Sequence, residues 1–482
     1  MAKNHAPAPE EPTEINRTPL IIVLLSGAFV AILNQTLLGT ALPHIMEDLQ
    51  IEADVAQWLQ SIFMLVNGIM IPVTAFLIET FTTRRLFLTA MGLFGLGTLV
   101  CAIAPGFTVL LIGRILQAAG AGIIMPLLQT IMFLIFPIEK RGSAMGMFGL
   151  IIAFAPAIGP TLAGYLVENF PWRSLFYVIF PIVVIDIILA YVLLKNITKQ
   201  TFPKVDVLSI ILSTFGFGGI LYAFSTAGSG FLSGQVIISL VIGIISLTWF
   251  ILRQLKLEQP ILEFRVFQNK VFTLTTALGM IVFLSLIGGA VVLPLFMQEM
   301  LGFTALESGL MLLPGALVMG LMNPITGRLF DKFGARALVR LGLLLVTITT
   351  FMFCNLTIET TFKYLAVVNV FRMLGVAMVM MPVTTAGLNQ LSPKRLPHGA
   401  AMNNTFRQIS GAVGTALLVT VMTVAAVPGE GVSGEITGVN VSFLVAGVIS
   451  LAGFVLSFFI RLPKAGEGYR EEPATTKTAT QE

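Results

Sequence analysis

Charge is what this chain has least of: 11% of its 482 residues are Asp, Glu, Lys or Arg, against 56% hydrophobic. Soluble domains carry roughly 25% charged residues, so a water-exposed fold of this length is excluded. The formal charge of +4 is small and dispersed, which argues against a nucleic-acid partner. Cysteine is nearly absent. Cys101 and Cys354 fall inside apolar runs, where a disulfide framework or a cysteine metal site is not expected and packing is. Of the three histidines, His5 falls in the N-terminal tail and His44 and His398 in what read as two separate loops, so no cluster of ligands or catalytic bases is in prospect. Neither an enzyme nor a bound cofactor is expected. No Gly-x4-Gly-Lys-[Ser/Thr] run occurs, and no polar segment is long enough for a nucleotide-hydrolysing domain. The N-terminus is polar, acidic and Pro-rich; it lacks the short apolar core of a signal peptide and is expected to persist as a disordered tail.

What remains is apolar sequence in long runs. Windows of about 20 residues, enough to cross a hydrocarbon core of about 30 Å, number fourteen between Leu20 and Ile460. An even number puts both termini on one side. All Lys and Arg flank that side except Arg173 and Lys363, in loops of the opposite set, and Arg114, Arg372 and Arg407, within spans. By the positive-inside rule both termini are cytoplasmic. The expected division is a tail over 1–18, six spans over 19–195, two spans over 196–254, an interfacial or merely solvated segment over 255–271, six spans over 272–461 and a tail over 462–482.

The two sets of six are copies. MIPVTAFLIETFTTRRL, from Met70 to Leu86, returns 252 positions later as MNPITGRLFDKFGARAL, from Met322 to Leu338. Arg114 in the fourth span falls opposite Arg372 in the twelfth, and GSAMGMF from Gly142 opposite GAAMNNTF from Gly399. Paired repeats of this kind build the two bundles of many secondary transporters.

Three motifs carry chemistry. The repeated turn sets one carboxylate and following arginines at a helix end: Glu79 with Arg84 and Arg85, then Asp331 with Arg336. The fourth span holds Arg114 and Gln117, three apart on one face. An arginine so placed costs several kcal/mol unless it meets water or a partner. The fifth span holds Gly146, Ala155, Gly159, Pro160, Ala163 and Gly164, small residues that allow close helix approach, while Pro156 and Pro160 bend the helix.

On these residues, over nearly everything from Pro19 to Ile460, the chain resembles the major facilitator superfamily, and within it the fourteen-span drug:proton antiporters of Gram-positive bacteria, which include quaternary-ammonium and lincomycin exporters. The resemblance implies an all-α polytopic membrane fold, two six-helix bundles with two extra helices between them. The second turn fits the family form, Gly-x-Leu-x-Asp-x-x-Gly-Arg-Arg, at Gly327, Leu329, Asp331, Gly334 and Arg336; the first departs from it at Ala75, Glu79 and Thr82, which puts its tightness in question. The implied role is a conformational latch, in which the carboxylate meets a helix N-terminus or an arginine while the cytoplasmic ends are closed; plain topology signalling is the alternative. For Arg114 the implied role is to tune a protonation site, against a structural arginine bonded to carbonyls. The fifth-span motif resembles the one associated with antiporters and favours export over import.

Proton coupling needs a carboxylate that can change charge near neutral pH, as burial permits. Glu307 is the first candidate and Asp186 the second; Glu307 could instead be a helix-start acid open to water, and Asp186 a residue paired away from the cavity. Many relatives carry an aspartate where this chain has Asn34, which cannot titrate. Expected substrate contacts are Asn34, Gln35, Gln60, Asn67, Gln129, Asn323, Asn403, Asn404, Arg407 and Gln408, with Met125, Phe148, Phe154, Met311 and Met381 as an adaptable wall. The expected function is proton-coupled efflux of hydrophobic or cationic drugs across the bacterial plasma membrane by alternating access. Export or flipping of a lipid, metabolite or signalling molecule is the alternative, with neutral or anionic cargo admitted by Arg114, Arg372 and Arg407. Expected partners are a small-molecule substrate, protons and the lipid bilayer; a monomer suffices.

Overall fold

Short polar caps cut the apolar sequence into helices. A computed structural model describes residues 17–198, 200–202, 205–226 and 233–459. Nearly all of the expected N-terminal tail, the tail over 462–482 and part of the Lys195 to Lys204 loop lie outside the described residues. Among the described residues there is no strand, and fourteen helices are long and apolar enough to span a membrane. The first six are α1 (Arg17–Leu49), α2 (Ala53–Thr80), α3 (Thr83–Ala102), α4 (Phe107–Ile135), α5 (Arg141–Asn169) and α6 (Ser174–Leu193). Then come α7 (Val207–Thr226) and α8 (Gly234–Lys256). The last six are α9 (Lys270–Leu295), α10 (Ala305–Phe333), α11 (Ala335–Met352), α12 (Phe362–Leu388), α13 (Leu396–Ala425) and α14 (Val432–Phe459).

Several helix starts are fixed by side-chain oxygens that take N–H groups without a partner inside the helix. Thr82 accepts from Arg85 N, Ser233 from Val236 N, Asn269 from Val271 N and Phe272 N, and Thr361 from Tyr364 N. Prolines at 43, 72, 126, 156, 160, 181, 294, 314, 324 and 382 lie inside helices, where neighbours in a packed bundle can satisfy the freed carbonyls. The repeated turn closes in two ways. In the second copy Gly334 takes φ 78° and ψ −177°, a conformation open in practice to glycine alone. In the first copy Thr82, at the matching position, stays extended at φ −65° and caps α3 with its hydroxyl.

Fourteen crossings return the chain to the face where α1 begins, here called the terminal face. The halves α1–α6 and α9–α14 meet where α5 packs on α10 and on α12, and where α13 packs on α2 and on α4. Between halves in sequence, α7 and α8 pair tightly through Gly219 and Gly243, and α7 rests against α2 and α13, with Trp58 and Tyr222 rings 5.8 Å apart. Asp206 and Arg253 tie the pair at the terminal face at 2.9 Å. The segment that follows α8 is anchored in protein: Ile261, Leu262 and Val266 are buried, and Phe267 meets Phe272 and Phe406.

Candidate functional site

The site is the seam between the two halves. At the terminal end of α10 the carboxylate of Asp331 crosses that seam to the start of α5: Oδ1 accepts from Gly142 N at 2.7 Å, Oδ2 from Ser143 N at 2.8 Å and from the Ser143 hydroxyl. These N–H groups are the positive end of a helix, and an acid there is stabilised by bonding and by the helix dipole together. Beside it Arg141 donates to Asn389 Oδ1 at 3.0 Å, a second bond across the seam.

The other copy solves the same problem with a side chain. Glu79, at the end of α2, lies 3.1 Å from Nε2 of His398 in the first turn of α13. His398 Nδ1 accepts from Glu263 N at 3.3 Å, so the ring proton sits on Nε2 and is donated to Glu79. The sequence reading placed His398 and His44 in loops; both lie within helices, and His398 is 5% exposed. Arg84 leaves Glu79 and stacks on Tyr191 at 4.4 Å, Arg85 is exposed, and Arg336 is half-buried at the start of α11.

Deeper in, Arg114 is held from three sides. Nε donates to Leu59 O at 3.2 Å, Nη1 to Gln117 Oε1 at 2.9 Å, and the guanidinium lies 4.3 Å over Phe63. Gln117 passes the contact on to Thr98 at 2.9 Å and to Asn34 at 3.4 Å. Between halves, Asn404 Nδ2 on α13 donates to Gln129 Oε1 on α4 at 2.8 Å, and Asn323 Nδ2 on α10 to Gly149 O on α5 at 2.8 Å. Gln35, Gln60, Asn67 and Gln408 are half-buried; Gln60 reaches into the space left by Gly39, while Leu221 of α7 fills that left by Gly68, with Gln408 in contact beside it. Phe148, Met311 and Met381 are buried, Met125 and Phe154 half-buried, with Phe154 filling the place of a side chain at Gly320.

The fifth-span residues divide. Gly146 lies against Asn323 and Pro324 of α10, and Gly159 against Thr36 of α1. Pro156 and Pro160 face outward, and Gly164 has open space beside it. The two candidate proton carriers are far from alike. Asp186 is 2% exposed; Oδ1 accepts from Ser26 of α1, while Oδ2 has no partner among the described residues. Glu307 is half-exposed and engaged in a capping box, accepting from Thr304 N at 2.8 Å while Thr304 Oγ1 accepts from Glu307 N at 3.2 Å.

Two homologous helical halves that meet through bonds between helix ends define a membrane transporter, not an enzyme. The profile of the Major Facilitator Superfamily matches residues 24–415, and the chain belongs to that family; its fourteen spans agree with the fourteen-span drug:proton antiporters. Over 458 residues it is 56% identical to the uncharacterized MFS-type transporter YcnB of Bacillus subtilis, covering 94% of this chain and 97% of that one. It is 40% identical over 462 residues to the lincomycin resistance protein LmrB of Listeria monocytogenes, covering 94% and 98%. The structure of the human organic anion transporter MFSD10 superposes with a TM-score of 0.69 at 15% identity, covering 93% of this chain and 100% of that one, a likeness of fold.

Proposed function

We propose that this protein exports hydrophobic, drug-like molecules across the bacterial plasma membrane by alternating access, driven by protons moving inward. The terminal face is then the cytoplasmic one. The observation that carries the reading is the clasp of Asp331 on the start of α5, a contact between halves that can exist only while their cytoplasmic ends are together. Relatives named for lincomycin resistance support export as the direction. Of the two carboxylates, Asp186 is the better proton carrier: it is enclosed, and it bonds Ser26 on α1, the helix that also carries Asn34, Gln35 and Thr36 and packs on α4 and α5. A change of its charge would be felt by that helix. Glu307 is committed to the start of α10.

The test is transport of lincomycin and of a hydrophobic dye by purified protein in liposomes under an imposed pH gradient. Gradient-driven movement that is lost in Asp186→Asn and kept in Glu307→Gln is the expected result. The reverse pattern would move the proton to Glu307, and indifference of both substrates to the gradient in wild type would sink proton-coupled export.

A further inference from the structure

The interior of the bundle is electrically one-sided. Among the described residues three arginines are buried, Arg114, Arg372 and Arg407, and one carboxylate, Asp186. A buried guanidinium without a counter-charge is costly, so each must find acceptors. Arg114 finds a carbonyl, an amide oxygen and a ring. Arg372 gives Nη2 to the carbonyl and hydroxyl of Ser285, in space that the missing side chain of Gly289 leaves open. Arg372 keeps Nε and Nη1 without an acceptor among the described residues, and so does Arg407. Arg407 is also 8% exposed, and its guanidinium lies 4.9 Å over the half-buried Phe283 ring.

Arg407 also stands within one turn of a bond between the halves. It follows Asn404 by three residues on α13, hence on an adjacent part of the same helix face. Asn404 bridges the seam to Gln129 of α4, and that bridge uses the Gln129 oxygen and leaves its buried Nε2 donor unpartnered. Arg407 and Gln129 thus present N–H donors with no acceptor among the described residues, and Phe283 adds an aromatic surface. A cation would meet repulsion here; a carboxylate or sulfonate would find charge and hydrogen bonds together.

We propose that Arg407 and Gln129 form an anion-accepting subsite, with Phe283 against the apolar body of the ligand, and that amphipathic organic acids are among the cargo. The proposal rests on the transporter reading for its purpose, but binding at the subsite needs no gradient. It is tested by equilibrium titration in nanodiscs with two probes of one shape, 1-anilinonaphthalene-8-sulfonate and its uncharged analogue N-phenyl-1-naphthylamine, with empty discs subtracted. Loss of one charge-assisted contact corresponds to roughly tenfold in affinity. Arg407→Gln is expected to weaken the sulfonate about tenfold or more and the neutral probe less than about twofold, and Arg407→Lys to recover most of the sulfonate affinity. Unchanged sulfonate binding in Arg407→Gln, or equal weakening of both probes, would overturn the subsite. Should Arg407→Gln not fold, Gln129→Leu decides by the same comparison: selective weakening of the sulfonate supports the subsite and equal affinities refute it. Intact charge-selective binding without gradient-driven transport would count against proton-coupled export alone.

Discussion

At Gly142 there is no room for one methyl group. A Cβ there would strike Asp331, come within 2.6 Å of the Gly327 carbonyl and 2.5 Å of the Phe330 ring, and so push α5 from α10 where the clasp forms. Gly142→Ala is therefore expected to open the terminal face, raising the labelling of a cysteine at Gln129 by a membrane-impermeant thiol reagent applied to that face. Asp331→Asn should act the same way, because the amide loses the charge that favours the helix end; at about 1.5 to 3 kcal/mol for hydrogen bonds to a charged group, the closed-to-open ratio should fall about tenfold or more. Unchanged labelling in both variants would show that the clasp does not hold the halves. The acid was legible in the sequence because it recurs in a repeated turn. His398 was not, since its meaning depends on Glu79, 319 positions away, and a lone histidine near charged residues reads as a loop. The Gln129 to Asn404 bridge, 275 positions apart, was hidden for the same reason, although both residues stood out as polar groups on apolar faces.

Helix ends and helix pairs follow a different logic, in which sequence departs from the family without loss of form. The first turn lacks both family glycines, yet it closes, because Thr82 turns the chain in extended geometry and caps α3. Gly334→Ala should then destabilise by about 1–3 kcal/mol, whereas Thr82→Gly should cost a few tenths; thermal unfolding in detergent compares them, and equal shifts would contradict the two geometries. The extra pair α7 and α8 was visible as two apolar spans, but its resting place against α2 and α13 was not, since neither helix has a counterpart in the repeat. Burial pushes the Asp206 carboxyl up, but the bonds from Arg253 and Ser209 outweigh it and hold the group below the usual carboxylate range. A carboxyl held low in the folded state stabilises above its unfolded value, about 3.9, and loses that contribution as pH falls through the folded one. Hydrogen exchange of the start of α7 should be insensitive to protonation of this pair from pH 8 to 5, after correction for the intrinsic exchange rate, and Asp206→Asn should speed it throughout. A protection step near neutral pH would mean that another group governs the junction.

For the whole molecule, the repeat in the sequence was enough to foretell two bundles and a seam, and the structure adds which helices close it. Cysteines at Gln129 and Asn404, in a background without Cys101 and Cys354, should be bridged by a short bis-thiosulfonate and block transport until reduced. Transport that continues with the bridge in place would mean that α4 and α13 need not part. The two clasps also differ in how they can be lost. Asp331 grips two main-chain N–H groups besides the Ser143 hydroxyl, and a main chain has no codon: with glycine kept at 142, a change at 143 other than proline removes the hydroxyl but leaves both N–H donors. Glu79 grips an imidazole, which a single nucleotide change at position 398 can erase. Among natural variants of this protein, drift should therefore gather at the α2 and α13 clasp, and the α10 and α5 clasp should stay fixed.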